Sequence, residues 1–417
     1  MTAGWTAGQA ERHLLSLELF GMRFGLDRMR RLMTALGGPQ ERFASIHVVG
    51  TNGKTSTVRM AAAILQAHGL RTGAYLSPHL VSFAERIRID GRDLDPGAFG
   101  AAVERAAHAA DKVGRTLAGG DTVTQFEVLT AAAFAELARA GVQAAVIEAG
   151  LGGRYDATNV LPSRVQVLTN VGLEHTRWLG PTVRDIAREK LAVVQDGATL
   201  VVGAGLHPDA ADEAAAAAER HGARLVVAPG AWDGELAAGG AYQRANFALA
   251  RAAAEAFLGA LDEEAVRAAA RTATVPGRFE VAGRDPLTVV DGAHNPDGIA
   301  ATVASLPDRR PLVAVVSILE DKDAAAMLEA VLARCDVLIA TSNPNPRALS
   351  PATLESLARQ LNGAGGRIRI ESEPDPWAAV ERARSLAGPG GAVVATGSIY
   401  LVAALRREPG DQQVSML

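Results

Sequence analysis

The 417-residue chain is 48% hydrophobic and 21% charged, the balance of a globular protein long enough for two cores. Its net charge of −4 leaves no basic footprint for nucleic acid, and its single cysteine, Cys335, excludes an internal disulfide and fits a reducing compartment. No apolar run is long enough to span a bilayer, and Met1 to Ala10 lack a basic start followed by an apolar stretch. The expectation is a cytoplasmic protein that engages neither membrane nor nucleic acid.

Residues 11–37 carry apolar positions at helical spacing and predict a helix. A β-branched run (Ile46, Val48, Val49) then ends in Gly50-Thr51-Asn52-Gly53-Lys54-Thr55-Ser56, ahead of a helix around Met60 to Leu65. That order suits a phosphate cradle: the glycines let backbone N–H groups face phosphate oxygens, and the helix start adds partial positive charge. Lys54 adds a full charge, and Thr55 is placed to bind phosphate or an accompanying Mg²⁺. Val48 stands where the general P-loop has its first glycine, so that signature is only partly met.

Further along, Ser77-Pro78-His79 follows the strand-like Gly73 to Leu76. Val128 to Ala140 reads as a helix, and Val142 to Glu148 as a strand ending in an acid directly before Gly150-Leu151-Gly152-Gly153. Val165 to Thr169 is the next strand, followed by Glu174-His175-Thr176, and Arg188-Glu189-Lys190 lies in a helix after Pro181. Leu200 to Val202 and Leu225 to Val227 read as strands around the helix Asp212 to Arg220. The alternation predicts an α/β fold, a parallel sheet covered by helices with its ligands beyond the carboxyl ends of the strands.

A second α/β pattern begins near residue 287, with strands at Leu287 to Val290, Pro311 to Ile318, Val337 to Thr341 and Ala392 to Ala395. The boundary is expected between Val281 and Pro286, giving domains 1–282 and 283–417. Asp291-Gly292-Ala293-His294-Asn295-Pro296 follows the first of these strands, as a ligand-reaching loop or an Asx-turn that exits through Asn-Pro. Arg278 has the planar fork to clamp a phosphate or to make a surface salt bridge.

A serine hydroxyl (Ser77), a carboxylate (Glu148) and an imidazole (His175) make a Mg²⁺ set if nucleotide phosphates complete it. Lys190 joins only if neutralised or made anionic, for example by carbamylation. His47 and His68 are expected to be structural, Trp178 to pack beside its loop, Cys335 to be core, and Asp321-Lys322 to form an interface or, as the favoured reading, a solvated turn.

The ordered set resembles one family. Gly50 to Thr55, Ser77 to Leu80, Thr124-Gln125-Phe126-Glu127, Glu148 to Asn159, Glu174 to Thr176 and Glu189-Lys190 occur in sequence. Pro276-Gly277-Arg278-Phe279, Asp291 to Pro296 and Gly397-Ser398-Ile399-Tyr400 follow. This resembles the folylpolyglutamate synthases, in the bifunctional bacterial type that is also a dihydrofolate synthase, within the Mur ligase superfamily. The resemblance covers nearly the whole chain. It implies a P-loop ATPase domain with a mainly parallel sheet, followed by a smaller Rossmann-like α/β domain that binds glutamate. The implied reaction is ATP-dependent addition of L-glutamate to dihydropteroate and reduced folates through an acyl phosphate. ATP would be co-substrate, two Mg²⁺ ions cofactors, a monovalent cation an additional ligand, and the protein a monomer.

By the same resemblance, Thr51, Asn52, Gly53, Lys54, Thr55 and Ser56 hold the phosphates, Asn246 contacts adenine, and Arg278 and Asp291 reach the nucleotide. Ser77 and Glu148 would ligate one Mg²⁺, and Glu148, His175 and a carbamylated Lys190 a second. Lys54, Lys190 and His294 carry the catalytic roles. Leu26, Asp27, Arg28, Thr124, Phe126, Asp156 and Ala157 form the pterin site, and His294 and Ser398 the glutamate pocket. Thr55 stands where the family often has Gly, Leu191-Ala192 where Ala-Gly is common, and Gln125 where an aromatic is frequent. The alternatives are a monofunctional folylpolyglutamate synthase or a Mur-type cell-wall amino-acid ligase. The short stretch before Gly50 speaks against the latter, which carries a nucleotide-sugar domain there.

Overall fold

The computed structural model describes residues 4–17, 25–117, 121–363 and 365–407. Fourteen strands occur among them: β1 Ala44–Val49, β2 Thr72–Tyr75, β3 Ile87–Ile89, β4 Arg92–Asp93, β5 Ala144–Glu148, β6 Val165–Leu168, β7 Thr199–Val202 and β8 Arg224–Val227, then β9 Glu280–Arg284, β10 Leu287–Val290, β11 Leu312–Val316, β12 Val337–Ala340, β13 Arg369–Ser372 and β14 Ala392–Thr396.

The chain divides into two compact units, one running to Ala237 and including Arg244–Ala273, the other comprising Ala238–Gln243 and the chain from Thr274 onward. The expected boundary between Val281 and Pro286 cuts through β9, which pairs antiparallel with β10 and belongs wholly to the second unit. The sequence hid this because β9 is a largely exposed edge strand with no alternating apolar face.

In the first unit the strand order is β4-β3-β2-β5-β1-β6-β7-β8. All neighbours run parallel except β2–β3 and β3–β4. Strands β5 and β1 are β-branched and Ala-rich and are buried almost throughout, as central parallel strands are. In place of the expected helix over 11–37, the described residues there form two helices, Ala7–Ser16 and Asp27–Ala35. The first opens on a capping box in which Thr6 and Gln9 satisfy each other's backbone amides. Since β1 lies between β5 and β6, the segments leaving these three strands open at one edge of the sheet.

The second unit has the order β13-β12-β11-β14-β10-β9, parallel except for β9. Its core gathers Val289, Val316, Leu338 and Val394 from the strands with Ile299, Met327, Leu354 and the buried Cys335. Among the described residues no helix is long and apolar enough to cross a membrane.

Candidate active site

Two glycines decide the shape of the loop after β1. Gly50 has φ 149°, and a Cβ there would lie 1.8 Å from Thr169 Oγ1. Gly53 has φ 81°, and a Cβ there would lie 2.4 Å from Asn246 Oδ1. A side chain at either position meets both backbone strain and a neighbour. The end of β6 braces the loop. Asn170 accepts from the Thr51 amide through its carbonyl (3.0 Å) and from the Asn52 amide through Oδ1 (2.9 Å), while Thr169 Oγ1 donates to the Asn52 carbonyl at 2.6 Å. The Thr51 hydroxyl accepts from the Gly172 amide at 3.0 Å.

The helix Lys54–Ala67 starts at this loop without a side-chain cap, leaving its first amides for an anion. Lys54 Nζ donates to the carbonyls of Gly50 (3.1 Å) and Thr51 (3.0 Å), folded back over the cradle. Ser56 is buried in the first helical turn, and Asn246 abuts Gly53.

Glu148 ends β5 and is 1% exposed. Thr55 Oγ1 lies 3.0 Å from each of its carboxylate oxygens, and the Ser77 amide donates at 3.2 Å. A buried carboxylate next to a hydroxyl at a phosphate loop is a donor set for a hard cation that keeps phosphate oxygens as its other ligands. Among the described residues no three His, Cys, Asp or Glu side chains gather into a metal cluster of their own.

Lys190 reaches the same loop from the helix Val183–Leu191, whose N-terminus is capped by Thr182. Its Nζ donates to the Gly50 carbonyl at 2.9 Å, so the two lysines share one oxygen. Burial, reinforced by the nearby Lys54 charge, lowers the Lys190 pKa to about 7 despite the opposing Glu174 and Asp156 carboxylates. Gly153 lies flat on the last turn of this helix, where a Cβ would be 2.5 Å from the Lys190 carbonyl. His175 stands one step outward, with φ 53° and its Nε2 3.8 Å from Glu174 Oε1.

The segments assigned to the pterin side converge in the same unit. Arg28 Nε donates to both oxygens of Glu127 (3.0 and 3.2 Å), and its Nη1 to Asp121 at 3.1 Å. Thr124 and Glu127 form a capping box on the helix Gln125–Arg139, and the ring of Phe126 fills the space a Cβ on Gly150 would need. Leu26 precedes, without a side-chain cap bond, the helix that begins at Asp27, an exposed residue 3.6 Å from Arg30. Asp156 is 6% exposed and accepts the Leu151 and Thr158 amides at 2.8 and 3.0 Å, and Ala157 beside it is buried.

In the second unit Asp291 is buried and fully engaged. Oδ2 accepts from the Tyr242 hydroxyl (2.6 Å) and the Phe279 amide (2.7 Å), and Oδ1 from the Ala293 amide (2.8 Å). Beside it, Arg278 Nη1 donates to the Gly277 carbonyl at 3.1 Å and lies where a Cβ on Gly292 would fall. His294 Nδ1 is 3.0 Å from the Gly292 carbonyl. Ser398 caps the helix Ile399–Leu405, and the Gly397 amide donates to the Ala293 carbonyl, tying the His294 and Ser398 loops together.

Several residues differ from expectation or escaped it. Trp178 does not pack inward: it is 42% exposed, with the Arg177 guanidinium 5.1 Å from its ring centroid, because Leu179 takes the buried seat. The Lys322 side chain is only 12% exposed, so Asp321-Lys322 is no freely solvated turn. The Asp121 and Glu127 partners of Arg28 were not singled out, although Thr-x-x-Glu before an apolar run signals the cap that orients Glu127. Ser317, Asn343 and Asn345, buried beyond β11 and β12, were also missed; Asn343 Nδ2 donates to Ser317 Oγ at 2.8 Å.

The chain is similar to known proteins over nearly its whole length. Residues 277–399 match the family model described as Mur ligase, glutamate ligase domain. A Mycobacterium tuberculosis protein named dihydrofolate synthase/folylpolyglutamate synthase is 36% identical, over 91% of this chain and 89% of its own length. The chain belongs to the dihydrofolate synthase/folylpolyglutamate synthase family. A structure of Mycobacterium tuberculosis folylpolyglutamate synthase complexed with ADP matches with a TM-score of 0.89 at 34% identity, covering 96% of this chain and 97% of that one. The bifunctional family member from Yersinia pestis, complexed with AMPPNP and Mn, matches with a TM-score of 0.85 at 30% identity, covering 97% and 98%. Family membership also extends to longer proteins. This chain spans 50% of a 36%-identical Haloferax volcanii relative named "Probable bifunctional folylpolyglutamate synthase/dihydropteroate synthase".

Proposed function

We propose that this protein is an ATP-dependent amide-bond ligase that adds L-glutamate to dihydropteroate and to reduced folates. The observation that carries the reading is the convergence on the β1 loop. Lys54 and Lys190 share the Gly50 carbonyl, while Thr55 and Ser77 close on the buried Glu148. That arrangement suits a nucleotide triphosphate with its cation, and the relatives' names supply the acceptor and donor.

A carboxylate is a poor acyl donor at neutral pH. One of its oxygens attacks the γ-phosphorus of ATP, the bond to the β-γ bridging oxygen breaks, and ADP leaves. The product is an acyl phosphate. The glutamate amine attacks the acyl carbon, phosphate departs with its bridging oxygen, and the amine proton passes to solvent. Both reactants of the first step are anions. Lys54 and the open amides of the helix Lys54–Ala67 offset that charge and hold the groups in line. Thr55, Ser77 and Glu148 would hold one Mg²⁺, and Glu148, His175 and a carbamylated Lys190 a second. These ions supply charge neutralisation at the phosphates. Arg28, Thr124, Phe126, Asp156 and Ala157 form the pterin side, and His294 and Ser398 take the glutamate.

The reading is tested by ADP release from purified protein. Release that depends strictly on both L-glutamate and a pterin acid (7,8-dihydropteroate or a reduced folate) is expected. Release that ignores glutamate, or that is strong with a UDP-muramoyl substrate, would contradict it.

A further inference from the structure

We propose that His47, which lies within β1 beneath the phosphate loop, is a positioning residue that fixes the pterin-side loop through Thr158 and Asp156 and so sets affinity for the pterin acid. The proposal rests on the functional reading above for its substrate, and on geometry for the rest.

His47 and Thr158 are both fully buried, 111 residues apart in sequence, with His47 Nε2 2.7 Å from Thr158 Oγ1. Thr158 Oγ1 donates to Asp156 Oδ1, which also accepts the Thr158 amide at 3.0 Å. The other Asp156 oxygen holds the Leu151 amide at 2.8 Å. Leu151 follows Gly150, against which the Phe126 ring packs. The chain of contacts thus runs from the strand that carries the nucleotide loop to the segment that frames the pterin side.

Burial raises the Asp156 pKa while its hydrogen bonds from Thr158, Leu151 and Gly150 oppose the shift, and with the carboxylate ionised proton counting gives the direction of the chain. A threonine hydroxyl has one hydrogen, and here it goes to the carboxylate. The imidazole must therefore donate from Nε2, which leaves Nδ1 as a bare acceptor. That atom is buried and has no hydrogen-bond partner among the described residues. Burial lowers the His47 pKa to about 4, so the ring stays neutral with its donor in place at physiological pH. A residue needed only for packing between Ile46 and Val48 would be apolar at less cost than an imidazole with an unpaired nitrogen. What the imidazole adds is the bond it donates. Held from below, Thr158 keeps its hydroxyl on Asp156, and Asp156 keeps the Gly150–Gly153 turn closed against Phe126.

The test combines kinetics with hydrogen exchange. His47→Phe preserves the ring and removes the donor, whereas His47→Gln retains an N–H in a comparable place. Thr158→Val removes the hydroxyl at nearly constant volume. His47→Phe and Thr158→Val should each raise KM for the pterin acid roughly fivefold, the worth of one net hydrogen bond. KM for ATP and kcat should stay within about twofold, and His47→Gln should recover most of the loss. The double variant should be no worse than either single one, because the chain is already broken. In the free protein, both single variants should speed exchange of the Leu151 and Thr158 amides. A wild-type KM with wild-type exchange at those amides would overturn the proposal, and so would a parallel rise in KM for ATP, glutamate and pterin. Should His47→Phe not fold, Thr158→Val carries the test alone. The two readings fail separately: an inactive wild-type enzyme refutes the function, whereas the exchange measurement judges His47 without turnover.

Discussion

Replacing Lys54 with Met is expected to lower glutamate-dependent ADP release by on the order of 10³-fold while the protein stays folded. Among the described residues the Lys54 ammonium bonds to the Gly50 and Thr51 carbonyls, contacts within its own loop that Met can lose at small cost to the core. What Met cannot replace is a full positive charge at the start of an uncapped helix, where the γ-phosphoryl group and a carboxylate must approach each other. Conservation of the thermal midpoint alongside the loss would place the effect in the reaction. Turnover within about tenfold of wild type would show that the loop amides and cation suffice, and would remove Lys54 from the catalytic set.

The second large effect is at Lys190. Lys190→Ala is expected to reduce ligation at least about 10²-fold, and a short carboxylate supplied with bicarbonate should restore part of it. The physical ground is that a carbamate forms from the neutral amine, and burial beside Lys54 brings the Lys190 pKa down to about 7. A large fraction of the side chain is therefore reactive towards CO₂ near neutrality, and reactivity falls as pH drops below about 7. The same shift affects stability. The ordinary lysine value of 10.5 applies to the unfolded chain, so between about 7 and 10.5 the unfolded state binds more protons. Stability of the unmodified protein should thus rise with pH through that window, with the full penalty of the buried charge below it. Mass spectrometry under CO₂ can read the added carbamate. Normal ligation by Lys190→Ala would remove both the modification and the second cation.

Much of the geometry of the proposed phosphate side was legible in the sequence because its logic is local. Gly50, Gly53 and Lys54 lie within five residues, and a strand that ends in Glu148 before a glycine turn announces a carboxylate at the sheet edge. What the residues could not disclose was how partners far apart in the chain use one another. The Lys54 and Lys190 side chains meet on one carbonyl 140 residues upstream of the latter, and no periodicity encodes that. His47 looked structural, yet only the fold shows that its partner is Thr158 and that the pair leads to Asp156.

Trp178 was expected to pack beside its loop, and it is 42% exposed. In a helix as short as Thr176–Leu179 only one apolar side chain finds the core, and Gly152 admits Leu179. The helix Ala7–Ser16 ends at Leu17 in extended backbone with no Pro nearby to mark it. Asp291 was expected to reach the nucleotide, and its three accepted hydrogen bonds show that it shapes the Phe279 turn, where φ is 46°.

The account turns on the passage of the acceptor carboxylate through a mixed anhydride with phosphate. The direct measurement uses a pterin acid labelled with ¹⁸O in that carboxylate, incubated with ATP, Mg²⁺ and L-glutamate, followed by mass analysis of the inorganic phosphate. One labelled oxygen in the phosphate for each amide formed is the predicted result. Glutamylated product accompanied by unlabelled phosphate would contradict the account.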